Sequence, residues 1–506
     1  MKHTFTFLAA LLLAPLTAIH AGEPLPKRGD FIAMGGDSIT YMSQYSRYVE
    51  IYLLAARPDL DLRVMKIQRW CGGKADDYAN ETLEEELVPA KPNLFTVCFG
   101  MNDGNGSAPN PSTERGYEAA LTKIVEHNRA NGTTTVLCSP GVVDEFSYRN
   151  ATLEAAEFNK AHGTPSQTEA SSENASAVIY NRTLAGLRDG ARRVAEKERM
   201  PFADVHDAMW KVMQAAKTGY GTTWPKLTGS NYPDRRFMLC GDGVHPCGST
   251  HIIMSFAVLK ALGFDGDIGS IDFNWTKGEV HTDAAQKATV PAKGRVELES
   301  SRLPLCFFDD TIANEGYPSV PCRYVLQQCP FNQELNRYTL RVRGLPNNLI
   351  KVSWGDRSQC YTRDQLEEGI NLAAEFPENP FSPTLRALDT AIWRKQVYER
   401  NLFGILNVAI WDKHFANQKP EQKRENLRKS LSEFSAWAAR EFPDNHELLD
   451  ACVSIRLRAV EKGETIQLSE LARVRQILFE RQREYHAKAR VLVKPVHHVI
   501  KIDPIS

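Results

Sequence analysis

Short apolar runs alternate with longer stretches of helical period between Asp30 and about Gly263. Such runs are typical of buried strands, and the longer stretches of helices with one apolar face. This alternation predicts an α/β fold, a parallel sheet covered by helices on both faces, with active sites at the carboxyl ends of the strands. The predicted strands are Phe31–Met34, Leu62–Ile67, Leu94–Phe99, Thr134–Cys138 and Pro201–Val205, and the predicted helices include Tyr45–Ala56, Thr113–Ala130, Ala177–Lys197 and His251–Leu262.

The pattern changes after Gly263. Residues 264–293 are rich in Gly, Asp, Thr and Ala, and we predict a linker there. Over 294–381, short β-prone segments alternate with turns, which predicts a small β-rich module. Residues 382–506 are predicted to form a helical C-terminal region, because long helical periods cover Leu385–Trp411, Glu421–Arg440, Glu447–Val460 and Leu468–Ala489.

Composition is that of an ordinary globular protein. The chain has 506 residues, of which 42% are hydrophobic and 24% charged, so several domains are expected. These values exclude a mostly disordered, collagen-like or small disulfide-stapled chain. The formal charge is −1, from 61 Lys+Arg and 62 Asp+Glu, and lacks the basic excess that is typical of nucleic-acid binders. We therefore expect no nucleic-acid partner.

The first 21 residues resemble a secretory signal peptide. Lys2 precedes an apolar run over Phe5–Leu16, and Ala21 offers a small residue for cleavage. A retained membrane anchor is the alternative, but the run is shorter than the roughly 20 apolar residues that span a bilayer. We expect a secreted or periplasmic protein without a stable membrane span, whose mature chain begins with the domain of residues 22–263.

The ten cysteines contain no Cys-x-x-Cys pair, which argues against zinc ribbons and thioredoxin-type redox sites. Cys240/Cys247 and Cys322/Cys329 are each separated by six residues and could close short loops as disulfides. Buried thiols are the alternative, since cysteine packs as a small hydrophobe. We favour a disulfide at Cys240/Cys247, because it would fix a turn that carries candidate chemistry.

Two segments could supply a serine nucleophile and its base. Ser38 follows Gly35-Gly36-Asp37 where a strand ends and a helix begins, a position that exposes a side chain at the sheet edge. A simple helix cap by Asp37 or Ser38 is the alternative. Asp242 and His245 lie three residues apart in a turn, so the carboxylate could orient the imidazole towards Ser38. By itself this segment could equally be a surface turn.

Two further segments follow predicted strands. Gly72-Gly73 comes after Leu62–Ile67, and Gly100-Met101-Asn102-Asp103 comes after Leu94–Phe99. A glycine N–H and an asparagine amide are suitable donors for an oxyanion. Ordinary turns are the alternative explanation for both segments.

In this order, the four segments resemble the SGNH hydrolases, also called GDSL esterases and lipases, over about residues 27–263. The resemblance rests on Gly36-Asp37-Ser38-Ile39, Gly73, Gly100-Met101-Asn102-Asp103 and Asp242-Gly243-Val244-His245. It implies a three-layer α/β/α serine esterase with Ser38 as nucleophile, His245 as base and Asp242 as its orienting partner. Gly73, Asn102 and the Ser38 backbone N–H would hold the oxyanion. Because Gly72 precedes Gly73 where many members have a serine, either glycine could be the donor.

Other chemistries have less support. The sequence lacks G-x-S-x-G, H-E-x-x-H and the P-loop motif. His497-His498 stands without neighbouring metal-ligand residues, so we expect a strand edge or a tail there and no metal site. The resemblance implies no cofactor. As the substrate we expect a small-molecule or glycan ester, with O-acetyl groups on carbohydrates first and lipid or aryl esters second. A glycan-binding envelope protein without catalysis is the other alternative.

Overall fold

A computed structural model describes residues 23–67, 72–145, 177–219, 239–240, 243–309, 321–406, 419–441, 453–455, 458, 461–462 and 468–505. The predicted signal peptide therefore lies outside the described residues, as does most of the helix predicted over Glu447–Val460. No helix in the described ranges is both long and apolar enough to cross a membrane.

A five-stranded parallel sheet forms the first half of the molecule, which confirms the α/β prediction. Its strand order is β2-β1-β3-β4-β5. Every residue of the inner strands β1 and β3 is buried, because helices cover both faces of the sheet. The strands are β1 (Phe31–Gly36), β2 (Arg63–Lys66), β3 (Leu94–Cys98), β4 (Thr134–Cys138) and β5 (Phe202–Ala203).

The helices of this half follow the strands in the predicted alternation. The helix Pro111–Ala130 starts at Asn110, whose side chain accepts a hydrogen bond from Ser112 N, and its apolar side faces the sheet. The α-helices are Ser38–Tyr41, Tyr45–Ala55, Ala75–Asp77, Val88–Ala90, Met101–Gly104, Pro111–Ala130, Ala177–Glu198, Val205–Gly219 and His251–Ala261, with a π-helix over Tyr78–Leu87 and 3₁₀ turns at Pro58–Leu60 and Gly248–Thr250.

Two further sheets form the second half. One has the order β13-β10-β6-β7 and the other β12-β11-β14-β9-β8. Their buried faces share a core that includes Tyr338, Trp354 and Ile500. The strands are β6 (Asp267–Asn274), β7 (Glu279–Thr282), β8 (Gln286–Ala292), β9 (Arg295–Ser300), β10 (Arg337–Arg343), β11 (Leu349–Trp354), β12 (Arg357–Thr362), β13 (Ile370–Asn371) and β14 (Val496–Ile505).

Two predictions for this half were wrong. Residues 264–293 are no linker, since β6, β7 and β8 all lie within them. The end of the chain is no helix, strand edge or tail either, because β14 runs between β11 and β9 in the middle of its sheet. The local sequence gives little indication of hairpins that are rich in Gly and Thr. It gives equally little indication of a strand whose partners lie about 150 to 200 residues away in the chain.

Helices complete the second half. The short helices Arg363–Glu368 and Leu372–Glu375 pack against β10, whereas the long helices Ser382–Leu406 and Leu468–Arg490 pack against β2 of the first half. The helices are Cys322–Gln328, Phe331–Glu334, Arg363–Glu368, Leu372–Glu375, Ser382–Leu406, Pro420–Glu441 and Leu468–Arg490. The helix Ser382–Leu406 covers the outer side of Tyr45–Ala55, so all eleven residues of that inner helix are buried.

The cysteine pairs are thiols. Cys240 and Cys247 are both buried, as are Cys322 and Cys329, and none of them is half of a disulfide. The favoured Cys240/Cys247 disulfide is therefore corrected. Backbone pairing takes its place, since Cys240 forms a β-bridge with Pro246, and Cys247 N donates to Leu239 O at 3.0 Å.

Candidate active site

Ser38 lies at the carboxyl end of β1, where the central strand passes into a short helix. Asp37 caps this helix by accepting a hydrogen bond from Ile39 N at 3.0 Å, so a helix cap and a serine at the sheet edge occur together. Gly36 is needed for the turn, because a Cβ atom there would collide with the Thr40 side chain and lie 2.6 Å from Cys98 O. The tight turn leaves Ser38 9% exposed at the sheet edge.

His245 is carried to this edge by the turn after Leu239. Asp144, which follows β4, fixes the turn: its Oδ2 accepts from Leu239 N at 2.6 Å, and its N–H donates to Gly243 O at 2.8 Å. His245 Nε2 then lies 2.9 Å from Ser38 Oγ, within hydrogen-bond distance. Asp242, the predicted orienting carboxylate, lies outside the described residues.

The asparagine and glycine segments meet beside Ser38. Asn102 Nδ2 donates to Gly73 O at 3.1 Å and to Asp37 Oδ2 at 3.3 Å. Gly73 is buried, whereas Gly72 is exposed and has a left-handed φ of 82°. Between the two glycines left open by the sequence, Gly73 is therefore the one that contacts Asn102.

The Asn102 segment needs a glycine at its start. Gly100 has a φ of 122°, and a Cβ atom there would lie 2.8 Å from Pro140. Both the backbone conformation and the contact exclude other residues. The G-x-N-D pattern therefore has a local steric reason as well as a possible chemical one.

Asp37, which is buried, and Asp103, which is partly buried, give the site an unusual electrostatic character. Burial raises the pKa of Asp37 to about 6, although Ile39 N–H and His245 oppose the rise. Burial likewise raises the pKa of Asp103 to about 7, and the nearby Asp37 charge adds to this effect. Asp103 Oδ1 accepts from Ala75 N at 3.0 Å, so it holds the segment after Gly73 in place. Perturbed carboxyl groups of this kind cluster at functional sites.

The side chains that support these groups were not predicted from the sequence. Thr40 Oγ1 and Tyr45 Oη form a hydrogen bond of 2.8 Å, and the Tyr45 ring stacks on His251 with centroids 6.3 Å apart. Burial lowers the pKa of His251 to about 3, so this imidazole stays neutral. Asp144 was missed as well, although it follows a predicted strand in the way that Gly73 and Asn102 do.

The structure thus brings Ser38, His245, Gly73 and Asn102 to one edge of the parallel sheet. His497 and His498 lie elsewhere, on β14 in the second half. His498 is buried among Ser300, Tyr338 and Trp354, while His497 is exposed and its Nε2 lies 3.1 Å from Glu299 Oε2.

Comparisons with known proteins agree with this arrangement. Residues 35–246 match the GDSL-like Lipase/Acylhydrolase family. BT4096, a gut microbial diltiazem-metabolizing enzyme of known structure, is 19% identical, with a TM-score of 0.63 over 95% of this chain and 98% of its own. This likeness shows that the architecture of both halves occurs together in another protein.

Two other solved structures each align with slightly less than half of this chain. Axe2, an acetylxylan esterase from Geobacillus stearothermophilus, is 20% identical over 47% of this chain and 97% of its own, with a TM-score of 0.34. LAE5, an alpha/beta hydrolase from the metagenome of Lake Arreo, Spain, is 19% identical over 47% and 96%, with a TM-score of 0.33. A search of curated protein sequences finds no match.

Proposed function

Because residues 35–246 belong to the GDSL-like Lipase/Acylhydrolase family, a family of ester-bond hydrolases, we propose that this chain is a serine esterase that works through Ser38. His245 acts as the general base, and Asp242 orients it. The Ser38 and Gly73 backbone N–H groups and the Asn102 side chain hold the oxyanion. The observation that carries the proposal is the 2.9 Å separation of Ser38 Oγ and His245 Nε2.

Acyl transfer then proceeds in two steps. Ser38 Oγ gives its proton to His245 Nε2 and attacks the ester carbonyl carbon, and His245 returns the proton to the departing alcohol. Water, deprotonated by the same histidine, hydrolyses the acyl-serine and restores the free hydroxyl. Both steps pass through a tetrahedral oxyanion, which needs preorganised donors.

Asn102 is suited to donate to that oxyanion. Its amide donates to Gly73 O at 3.1 Å and makes a longer contact with Asp37 Oδ2 at 3.3 Å. An arriving oxyanion can take the hydrogen of the longer contact, while the shorter one keeps the amide in position. The negative charge of Asp37 favours the cationic form of His245 that appears during both steps, since the two groups attract each other.

For the substrate we propose O-acetyl groups on carbohydrates, with a chain exported through the signal peptide of residues 1–21. The support is the expected export together with the added two-sheet region, a combination suited to glycan substrates. Lipid or aryl esters are the second candidate, and a long apolar acyl groove would favour them.

The test compares the mature wild type with Ser38→Ala on p-nitrophenyl esters of two to twelve carbons, and on O-acetylated glycans with acetate release as the readout. We expect the wild type to prefer the acetyl ester, to release acetate from glycans, and to lose both activities in Ser38→Ala. A preference for long acyl chains would replace the carbohydrate proposal with the lipid one. Activity that survives Ser38→Ala would refute the nucleophile.

A further inference from the structure

The helices Ser382–Leu406 and Leu468–Arg490, here called the C-terminal helix pair, supply hydrogen bonds that the first half of the molecule lacks. Among the described residues, strand β2 is the edge of the parallel sheet and has β1 as its one strand partner. On its outer side, Val64 O accepts from Gln482 Nε2 at 2.9 Å, and Lys66 N donates to Glu399 Oε2 at 3.0 Å. The C-terminal helix pair therefore hydrogen-bonds to the backbone groups that β2, as an edge strand, would otherwise leave exposed.

Glu399 belongs to a cluster of ionic groups with no exposure at all. Lys395 Nζ lies 2.7 Å from Glu399 Oε1 and 3.0 Å from Glu50 on the inner helix Tyr45–Ala55. Gln396 Nε2 also donates to Glu50, at 2.9 Å, and Gln396 Oε1 accepts from Ser46 Oγ at 2.7 Å. Burial alone would raise the pKa of Glu50, but the attraction of Lys395, with contributions from His486 and Gln396, holds this pKa below its usual value. Such contacts fix the helix pair in one position relative to the sheet.

From this cluster a direct path leads to the nucleophile. Glu399 holds the backbone of Lys66, and the Lys66 side chain donates to Ser43 Oγ and to Tyr41 O, the latter at 3.4 Å. Tyr41 ends the short helix that begins with Ser38. Ser43 has a left-handed φ of 61°, a conformation that a serine holds only under constraint from its surroundings.

A second path reaches the same segment from the same helix. Arg47 Nε lies 3.1 Å from Asp389 Oδ1, with both side chains buried, and Arg47 Nη2 donates to Gln44 Oε1 at 2.9 Å. Arg400 also lies over the Tyr41 ring, with its guanidinium 4.8 Å from the ring centroid. Contacts from Ser382–Leu406 thus converge on residues 41–47, directly after the proposed nucleophile.

We infer that the C-terminal helix pair supports the active site through the segment after Ser38. Glu399 and Lys66 are positioning residues, which hold Ser38 at the correct position relative to His245. The inference rests on the proposed function. Acyl transfer tolerates little misplacement, since a shift of about 1 Å can cost about 100-fold in rate. The second half of this chain would then be required for turnover rather than for stability alone.

The test measures kcat, KM and the unfolding midpoint of the full chain with p-nitrophenyl acetate, together with the rate at which a small p-nitrophenyl phosphonate modifies Ser38. In Lys66→Met we expect kcat and the phosphonylation rate to fall about 10- to 100-fold, with KM changed less than threefold. Glu399→Ala should do the same where it folds. Glu399→Gln, whose Oε1 can still accept from Lys66 N, should keep a higher kcat than Glu399→Ala, although its NH2 group then faces the donors Lys395 Nζ and Gln482 Nε2.

Leu388→Ala is the matched control, because Leu388 is buried on the same helix and its apolar side chain makes none of these hydrogen bonds. It should lower the unfolding midpoint and leave kcat near the wild-type value. A Lys66→Met enzyme with wild-type kcat, or one whose kcat falls no more than that of Leu388→Ala, overturns this inference alone. A wild type whose activity does not depend on Ser38 overturns the proposed function, and this inference with it.

Discussion

Each half of the molecule contains a buried serine hydrogen-bonded to a histidine. In the parallel-sheet half, Ser38 Oγ and His245 Nε2 are 2.9 Å apart. In the two-sheet half, Ser300 Oγ and His498 Nε2 are 3.0 Å apart. By distance alone the two pairs are equivalent, so distance cannot decide which of them does chemistry.

The two serine–histidine pairs differ in what is known of Nδ1, the ring nitrogen that faces away from the serine. His498 Nδ1 accepts from Trp354 Nε1 at 3.0 Å, and an indole N–H can only donate. A neutral imidazole with an accepting Nδ1 carries its proton on Nε2, so His498 donates towards Ser300 and cannot take the serine proton. Burial lowers the pKa of His498 to about 3 and keeps the ring neutral.

Surroundings separate the pairs as well. Ser300 is fully buried and lies 2.8 Å from Tyr338 Oη, while His498 is 5% exposed, so no substrate reaches them. Ser38 lies at a strand end beside the Asn102 amide, and His245 is partly exposed. A serine–histidine pair therefore indicates catalysis only where the base nitrogen is free of a proton and oxyanion donors stand nearby.

Removing each serine in turn is the most direct test of the difference between the two serine–histidine pairs. Ser38→Ala should lower kcat by about 10⁴-fold or more, because the nucleophile is lost. Ser300→Ala should leave kcat within about twofold of wild type and lower the free energy of unfolding by about 1–3 kcal/mol, since Tyr338 and His498 lose a buried partner. Ester hydrolysis and urea unfolding of both variants measure these effects. A folded Ser300→Ala enzyme with strongly reduced kcat would contradict the distinction.

The sequence was informative about the first pair and misleading about the second for the same physical reason. Ser38 and Asn102 come closely after β1 and β3, and Gly73 lies in the segment after β2, so the topology of a parallel sheet brings them to one edge. His498 meets Ser300 only because β14 returns to pair with β9, nearly 200 residues away. No local pattern encodes such a pairing, which is why an edge or a tail was expected.

For one correctly predicted helix, tertiary packing buried the side that its sequence suggests is exposed to water. One face of Tyr45–Ala56 was predicted to be apolar, and that face does meet the core. The opposite side carries Arg47 and Glu50, which would ordinarily face water. Both are buried, because Asp389 and Lys395 from a distant helix supply opposite charges. The charged residues of this helix therefore contact another helix rather than water, which the sequence pattern alone does not indicate.

The next test compares two asparagines, one from each half. Asn102→Ala should lower kcat about 10²- to 10³-fold with a small change in KM, the usual cost of one oxyanion donor. Asn336 is fully buried in the second half, where its amide donates to Leu305 O at 3.0 Å and to Asn332 Oδ1 at 2.9 Å. Asn336→Ala should reduce stability and leave kcat unchanged. Equal effects of the two variants on kcat would remove Asn102 from the oxyanion site.

A smaller effect, on stability, is expected from the buried carboxylate of Asp37. Its pKa of about 6 lies above the unfolded value of 3.8, so the folded state binds the proton more tightly, and ionisation destabilises the fold as pH rises through this range. That cost reaches about 3 kcal/mol at pH 8 and falls below about 1 kcal/mol at pH 4. Asp37→Asn should therefore gain up to about 3 kcal/mol of stability at pH 8.

The Asp37→Asn gain should come with lower kcat, because the charge that favours the cationic His245 is lost and an amide replaces the acceptor opposite Asn102. Urea unfolding at pH 8 and pH 4 checks the stability, and p-nitrophenyl acetate hydrolysis checks the rate. The same gain at both pH values would show that the carboxylate charge is not its cause.

The smallest effect concerns the pH dependence of the second pair. The pKa of His498 falls from 6.5 to about 3 on folding, so the unfolded chain binds more protons between these values and stability is lost as pH falls. From pH 7 to pH 5 this single group accounts for about 2 kcal/mol. His498→Gln can still accept from Trp354 and donate to Ser300, but it does not titrate, so its urea midpoint should fall less over this range. His206 and His251 are unchanged in both proteins, so the difference isolates His498. If wild type and variant lose stability in parallel, burial does not hold His498 neutral, and its Nδ1 is then not shown to be the acceptor that distinguishes this pair from Ser38 and His245.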